Sequence, residues 1–196
     1  MSSRIRFATA RNVFEAFPDL RQVVPPPTDE SKPMEYARRL SPAHAIAFLS
    51  YLLPRREAVW WARQCVSAIV GPSSENDPAL RAAEAWVRAP EEENRRVALE
   101  IGGAGDQNSA TTWLALAAAW SGGSMCPPDV QPMPAPVWAC AKAVNAAIAL
   151  STISEPSAVA DRLKACAEAG IRFAEGGDAR PTLAAPRKSI DAAQRS

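Results

Sequence analysis

Apolar residues along this chain recur at three- and four-residue spacing, and no stretch alternates in the two-residue rhythm of a strand. The pattern is cleanest between 78 and 88. At about 100° per residue, Ala79, Leu80, Ala83, Trp86 and Val87 share one face, and Arg81, Glu84 and Arg88 the other. The stretch 109–121 is apolar nearly all round, with Trp113, Leu116 and Trp120 filling one side, which predicts a central helix. Continued along the chain, the pattern predicts helical segments near 9–16, 33–40, 42–53, 56–70, 78–88, 91–102, 109–121, 136–153 and 157–175, the first two short enough to be turns. The fold class is therefore all-α, a multi-helix bundle or a short α-solenoid-like array of roughly seven helices.

Capping residues support these boundaries. Ser41-Pro42 and Asp77-Pro78 each place a capping side chain before a proline at the first helical position. Pro90 opens a further helix, and Glu91, Glu92 and Glu93 fill its first turn, where carboxylates favour the positive dipole end. Glu91 with Arg95 and Glu92 with Arg96 are spaced as exposed i,i+4 pairs. Pro25-Pro26-Pro27 sets an N-terminal segment, 1–30, apart from a helical domain, 31–175. Cys126 to Pro136 holds five prolines and reads as a stiff, extended connector. The glycine-rich Ile101 to Asp106 follows a helix rather than a strand and lacks the Gly-Lys-Ser/Thr of a phosphate loop, so it reads as a helix stop. The tail, 176–196, has the composition of a disordered segment.

An offset of 78 positions carries Val59-Trp60 onto Val137-Trp138, Val66 onto Val144, Ala68 onto Ala146, Ser73 onto Ser151 and Asp77-Pro78 onto Glu155-Pro156. This raises an internal duplication, with repeats 57–125 and 135–175, against a single irregular bundle.

Charge and composition narrow the chemistry. The 196 residues carry a net charge of +1, which gives no electrostatic drive toward nucleic acid. None of Cys65, Cys126, Cys140 and Cys166 stands at Cys-x-x-Cys spacing, and His44 is the single histidine, so no metal site is expected. Reduced thiols in apolar helices fit a cytoplasmic setting. Arg11 and Glu15 interrupt any export signal, and the apolar runs 110–120 and 137–153 read as buried helices, not membrane spans. No serine elbow, catalytic triad or buried carboxylate pair stands out, so no catalytic residue and no cofactor is assigned.

On the wheel for 56–70, Ala58, Ala62, Cys65, Val66 and Ile69 define the buried face, with Trp61 at its edge. Trp60 points the other way, among Arg63, Gln64 and Ser67. A large aromatic on a polar face is either a contact to a second layer of the same protein, which nine segments to pack would favour, or an anchor for a partner. The candidate partner-binding residues are Trp60, Arg56, Arg63, Gln64 and Trp138.

The run Leu53-Pro54-Arg55-Arg56-Glu57-Ala58-Val59-Trp60-Trp61-Ala62-Arg63-Gln64-Cys65 resembles a family of uncharacterised helical proteins from proteobacteria, as do Ala83 to Val87, Glu93 to Arg96, Trp120 to Ser124 and the proline-rich segment before an Ala/Val helix. The resemblance spans about residues 40 to 175. It implies no activity, so no site residue is carried over, and it implies a setting near type VI secretion genes. The expectation is a non-enzymatic adaptor or accessory factor of a larger bacterial assembly with a protein partner. The other reading is a small-molecule sensor or enzyme with an interhelical pocket.

Overall fold

The computed structural model describes residues 5–126 and 129–183, the side chain of Ser73 excepted. Within these it holds nine α-helices and no strand: α1 (Ala10–Ala16), α2 (Pro33–Arg39), α3 (Pro42–Leu52), α4 (Arg55–Val70), α5 (Pro78–Arg88), α6 (Glu92–Ala104), α7 (Ala110–Ala119), α8 (Ala139–Thr152) and α9 (Val159–Ala174). The two short segments expected as possible turns are thus helices of seven residues each. Thr9 caps α1, Ser41 caps α3, and the Asp77 carboxylate accepts from the amides of Ala79 and Leu80 at 2.8 and 3.2 Å to cap α5.

The apolar helix α7 packs on α4, α5, α6 and α8, and α8 in turn meets α3, α4 and α9. Their shared core is centred on Trp61, which is fully buried. Its indole Nε1 donates to the carbonyl of Cys166 in α9 at 3.1 Å. Gly170 makes room for the ring, since a Cβ there would lie 2.7 Å from the indole. The wheel put Trp61 at the edge of the buried face. It stands at the centre because α4 is covered by α8 and α9 as well as by α5 and α7, so its buried arc is wider than one stripe.

Residues 10–24 share this core, with Val13, Phe14 and Leu20 buried. Phe14, Tyr36 and Phe48 form a ring cluster with centroids 5.0–6.0 Å apart, joining α1, α2 and α3. Tyr51 donates to Asp19 at 2.7 Å, and burial, then Asp19, raises its pKa. The proline run therefore links two parts of one core.

Three other expectations change. The helix α6 ends within the glycine-rich stretch, as expected, but two residues later than predicted: it runs through Gly102 and Gly103 to Ala104, with Gly105 as its C-cap, and Gly102 lies against α7, where a Cβ would sit 2.9 Å from the Leu116 side chain. The start of the tail is ordered: Ala179 is buried, and Arg172 donates to the carbonyls of Asp178 and Arg180 at 3.3 and 2.7 Å. Residues 184–196 of the expected disordered tail lie outside the described residues.

The proline-rich segment, thirdly, folds back on itself rather than extending. Met125 N–H donates to Met133 at 2.8 Å, and the Ser124 hydroxyl accepts from the amides of Cys126 and Met133 at 3.0 and 3.1 Å. Arg95 anchors it. Expected as an exposed partner of Glu91, Arg95 is instead buried. It turns inward to donate to the carbonyls of Ala119 and Ser124 at 2.9 and 3.0 Å, and pairs with Glu92 at 2.6 Å. The backbone passes the guanidinium closely at Gly123, whose φ of 63° suits glycine. Arg96 pairs with Glu92 as its spacing predicted, and also donates to the Cys126 carbonyl.

The duplication offset meets differing local structure. Asp77 caps α5, whereas Glu155 pairs with Arg162 at 2.6 Å and is followed by a short 3-10 turn, Pro156–Ala158.

Arg95→Ala should cost about 2–4 kcal/mol, because it strands two carbonyls and leaves a void, and Arg95→Lys should recover little, since one ammonium cannot reproduce the planar fork. Arg95, then Arg96, holds the Glu92 carboxyl down to about 2 from 4.5. This contribution is complete above about pH 4.5 and lost as pH falls toward 2. Denaturant melts across that window should show a shallower acid limb for Glu92→Gln, and an unchanged limb would refute the pairing.

Candidate functional site

Because α4 is covered on so many sides, only a narrow edge of it reaches solvent. Along that edge Arg56, Trp60, Arg63 and Ser67 follow one another at three- and four-residue spacing, and three depressions open beside them.

The first, of about 380 Å³, lies at the N-terminal end of α4, between Arg55, Arg56, Tyr51, Val137 and Cys140. The second, of about 310 Å³, is lined by Arg56, Glu57, Trp60, Val87, Arg88 and Phe173. The third, of about 280 Å³, includes Arg63, Gln64 and Ser67. Arg56 divides the first two and is fixed by its bond to the carbonyl of Val87 at 2.6 Å, near the C-terminus of α5. A cation there meets the negative end of the helix dipole.

Trp60 is half-buried and packed against the core, and the Arg63 guanidinium lies 5.9 Å from its ring centroid. Arg63 is itself held by Glu84 at 2.8 Å, and Glu84 also binds Arg88 at 2.6 Å. The indole is therefore fixed in place by α5 and its own helix while one side stays open. Trp60 thus touches a second layer of the same protein, and part of its ring remains accessible.

Of the candidate residues, Arg56 and Trp60 share the second depression, and Arg63 and Gln64 the third. Gln64 is 7% exposed, more buried than its place on the polar face implied. Trp138 stands apart, just before α8, with Lys142 Nζ 4.2 Å from its ring centroid. Val137, Met133 and Val130, which precede Trp138 in the chain, are exposed as well. Sequence reasoning missed Phe173, which α9 brings to Trp60 from more than a hundred positions away; no local pattern signals it. Val87 and Arg88 were assigned to the correct faces of α5, but nothing placed them beside α4.

Among the described residues, no three His, Cys, Asp or Glu side chains converge as metal ligands, and no helix is long and apolar enough to cross a membrane. Cys65, Cys140 and Cys166 are buried and Cys126 is half-buried; all four are free. Burial pushes the Cys140 thiol up to about 12 although Arg55 opposes it, and burial followed by Cys166 raises Cys65. A thiol so raised is a poor nucleophile at neutral pH. Native protein at pH 8 should therefore label first at Cys126 with a disulfide reagent, and all four thiols should titrate after denaturation. Rapid native labelling of Cys140 would show that its depression admits a nucleophilic thiolate.

No curated protein and no solved structure matches the chain. Residues 35–174, from within α2 to the end of α9, match a family of unknown function, and the matched span contains every candidate residue. The chain belongs to that family, DUF6931.

Proposed function

We propose that this chain is a non-enzymatic interaction protein that docks a protein partner on the exposed edge of α4. The observation that carries the reading is Trp60: a large aromatic held between Arg63 and the end of α5, half open, beside the apolar Phe173 and Val87. Aromatic and arginine side chains fixed before binding lose little entropy on association and dominate interface energetics. Arg56 frames the contact, Arg63 holds the ring, and Gln64 lies beneath. Trp138 and Val137 form a second apolar contact. The partner belongs to a larger bacterial assembly in the cytoplasm. The sequence resemblance favours type VI secretion as that assembly, and this protein is then its adaptor or accessory factor. A duplicated origin would account for the Val-Trp pairs at Val59-Trp60 in α4 and Val137-Trp138 just before α8.

The test compares three variants. Trp86 is 6% exposed, so Trp86→Ala should cost about 3–5 kcal/mol, as other buried aromatic truncations do. Trp60→Ala should cost about 1–2 kcal/mol, and Trp138→Ala, 38% exposed, less still. Affinity capture from the native host, followed by titration of the captured protein, should show Trp60→Ala weakening binding by about 2 kcal/mol or more. Unchanged binding by folded Trp60→Ala would remove the edge of α4 from the interface.

A further inference from the structure

The third depression has features that protein docking leaves unused. Its floor is Gln64, more than nine-tenths buried, yet its side-chain amide makes no hydrogen bond among the described residues. The amide is not sealed off: it opens onto the cavity, where its donor and acceptor are available to a ligand. Beside it, the Ser67 hydroxyl is likewise unpartnered, and Arg63 Nε is buried without an acceptor. These groups offer several donors and two acceptors, the Gln64 amide oxygen and the Ser67 hydroxyl, around the same small space.

The rim carries one charge of each sign. Glu75 comes from the turn after α4, and Arg180 from the ordered segment after α9, which Arg172 holds by the Arg180 carbonyl at 2.7 Å. Both are exposed, and among the described residues neither comes within 4.0 Å of an opposite charge. Two opposite charges thus line one cavity without meeting. Arg63, the remaining cation, is already neutralised by Glu84. The matching ligand is neutral overall with its charges separated. A phosphate would be repelled by Glu75 and a simple amine by Arg180. A volume of about 280 Å³ is at the lower end for ligand sites and too small for a nucleotide.

We infer that this cavity binds a zwitterion of free amino-acid size, its carboxylate on the Gln64 amide and Arg180 and its ammonium at Glu75. The cavity shares Arg63 and Gln64 with the Trp60 contact but does not include Trp60, and its test uses no protein partner, so it can fail or succeed independently of partner binding.

The full chain is melted in the presence of each of the twenty common L-amino acids at millimolar concentration, with butyrate, butylamine and inorganic phosphate as single-charge probes. At least one amino acid should raise Tm, since a ligand that binds only the folded state stabilises it, and the three single-charge probes should not. Glu75→Gln and Arg180→Ala, both at exposed positions, should leave the ligand-free Tm unchanged and weaken calorimetric affinity about tenfold or more. Gln64→Leu should abolish the shift while the ligand-free Tm changes little, because the Gln64 amide makes no hydrogen bond to the described residues. No shift with any of the twenty, an equal shift with butyrate, butylamine or phosphate, or a shift that survives Gln64→Leu and Arg180→Ala would each overturn the inference.

Discussion

The structure depends on the burial of one indole. Trp61 has to be covered, and doing so brings α4 against α9, with Gly170 giving up its side chain to admit the ring. The Nε1 donor adds direction to an otherwise non-directional force, because a buried indole N–H must find an acceptor. The carbonyl of Cys166 supplies it and fixes the position of α9 along α4. The location of Phe173 beside Trp60, two turns further along α9, follows from that register.

Covering α4 so thoroughly also decides what is left of it. A helix packed on one side offers a partner a broad polar face, whereas α4 offers only an edge. Three of the four side chains on that edge are held by a neighbour: Arg56 by the end of α5, Arg63 by Glu84, and Trp60 by Arg63. The acidic Glu84, binding two arginines, is the point where the edge is tied to α5. The edge is thus a rigid surface whose shape is set before anything binds.

The helices were legible because their signals are local. Proline after serine or aspartate, glutamates in a first turn and an apolar period each act within a few residues. What failed was whatever depends on the number of neighbours. A wheel assumes one buried arc, so it put Trp61 at a margin and left Gln64 in solvent. Arg95 looked like a surface partner for Glu91, since i,i+4 spacing cannot show that the chain after α7 returns to lie over α6. The prolines of 126–136 suggested stiffness, and their composition does not reveal that Ser124 and Arg95 gather the two ends of the segment. Gly102 was taken for punctuation because the close approach of α7 is a tertiary fact.

The aromatic cluster of Phe14, Tyr36 and Phe48 has a consequence for where the folding unit begins. Two of its rings lie within the matched span 35–174, and the third, Phe14, lies before it. At the other end Ala179 lies past the span and is buried in the same core. The stretch shared across the family is therefore smaller than the body that folds. A fragment cut to 35–174 would keep every helix from α3 onward and yet bare the faces of Tyr36 and Phe48. Such a fragment would be sticky in solution, and its self-association would be an artefact of trimming rather than a property of the protein.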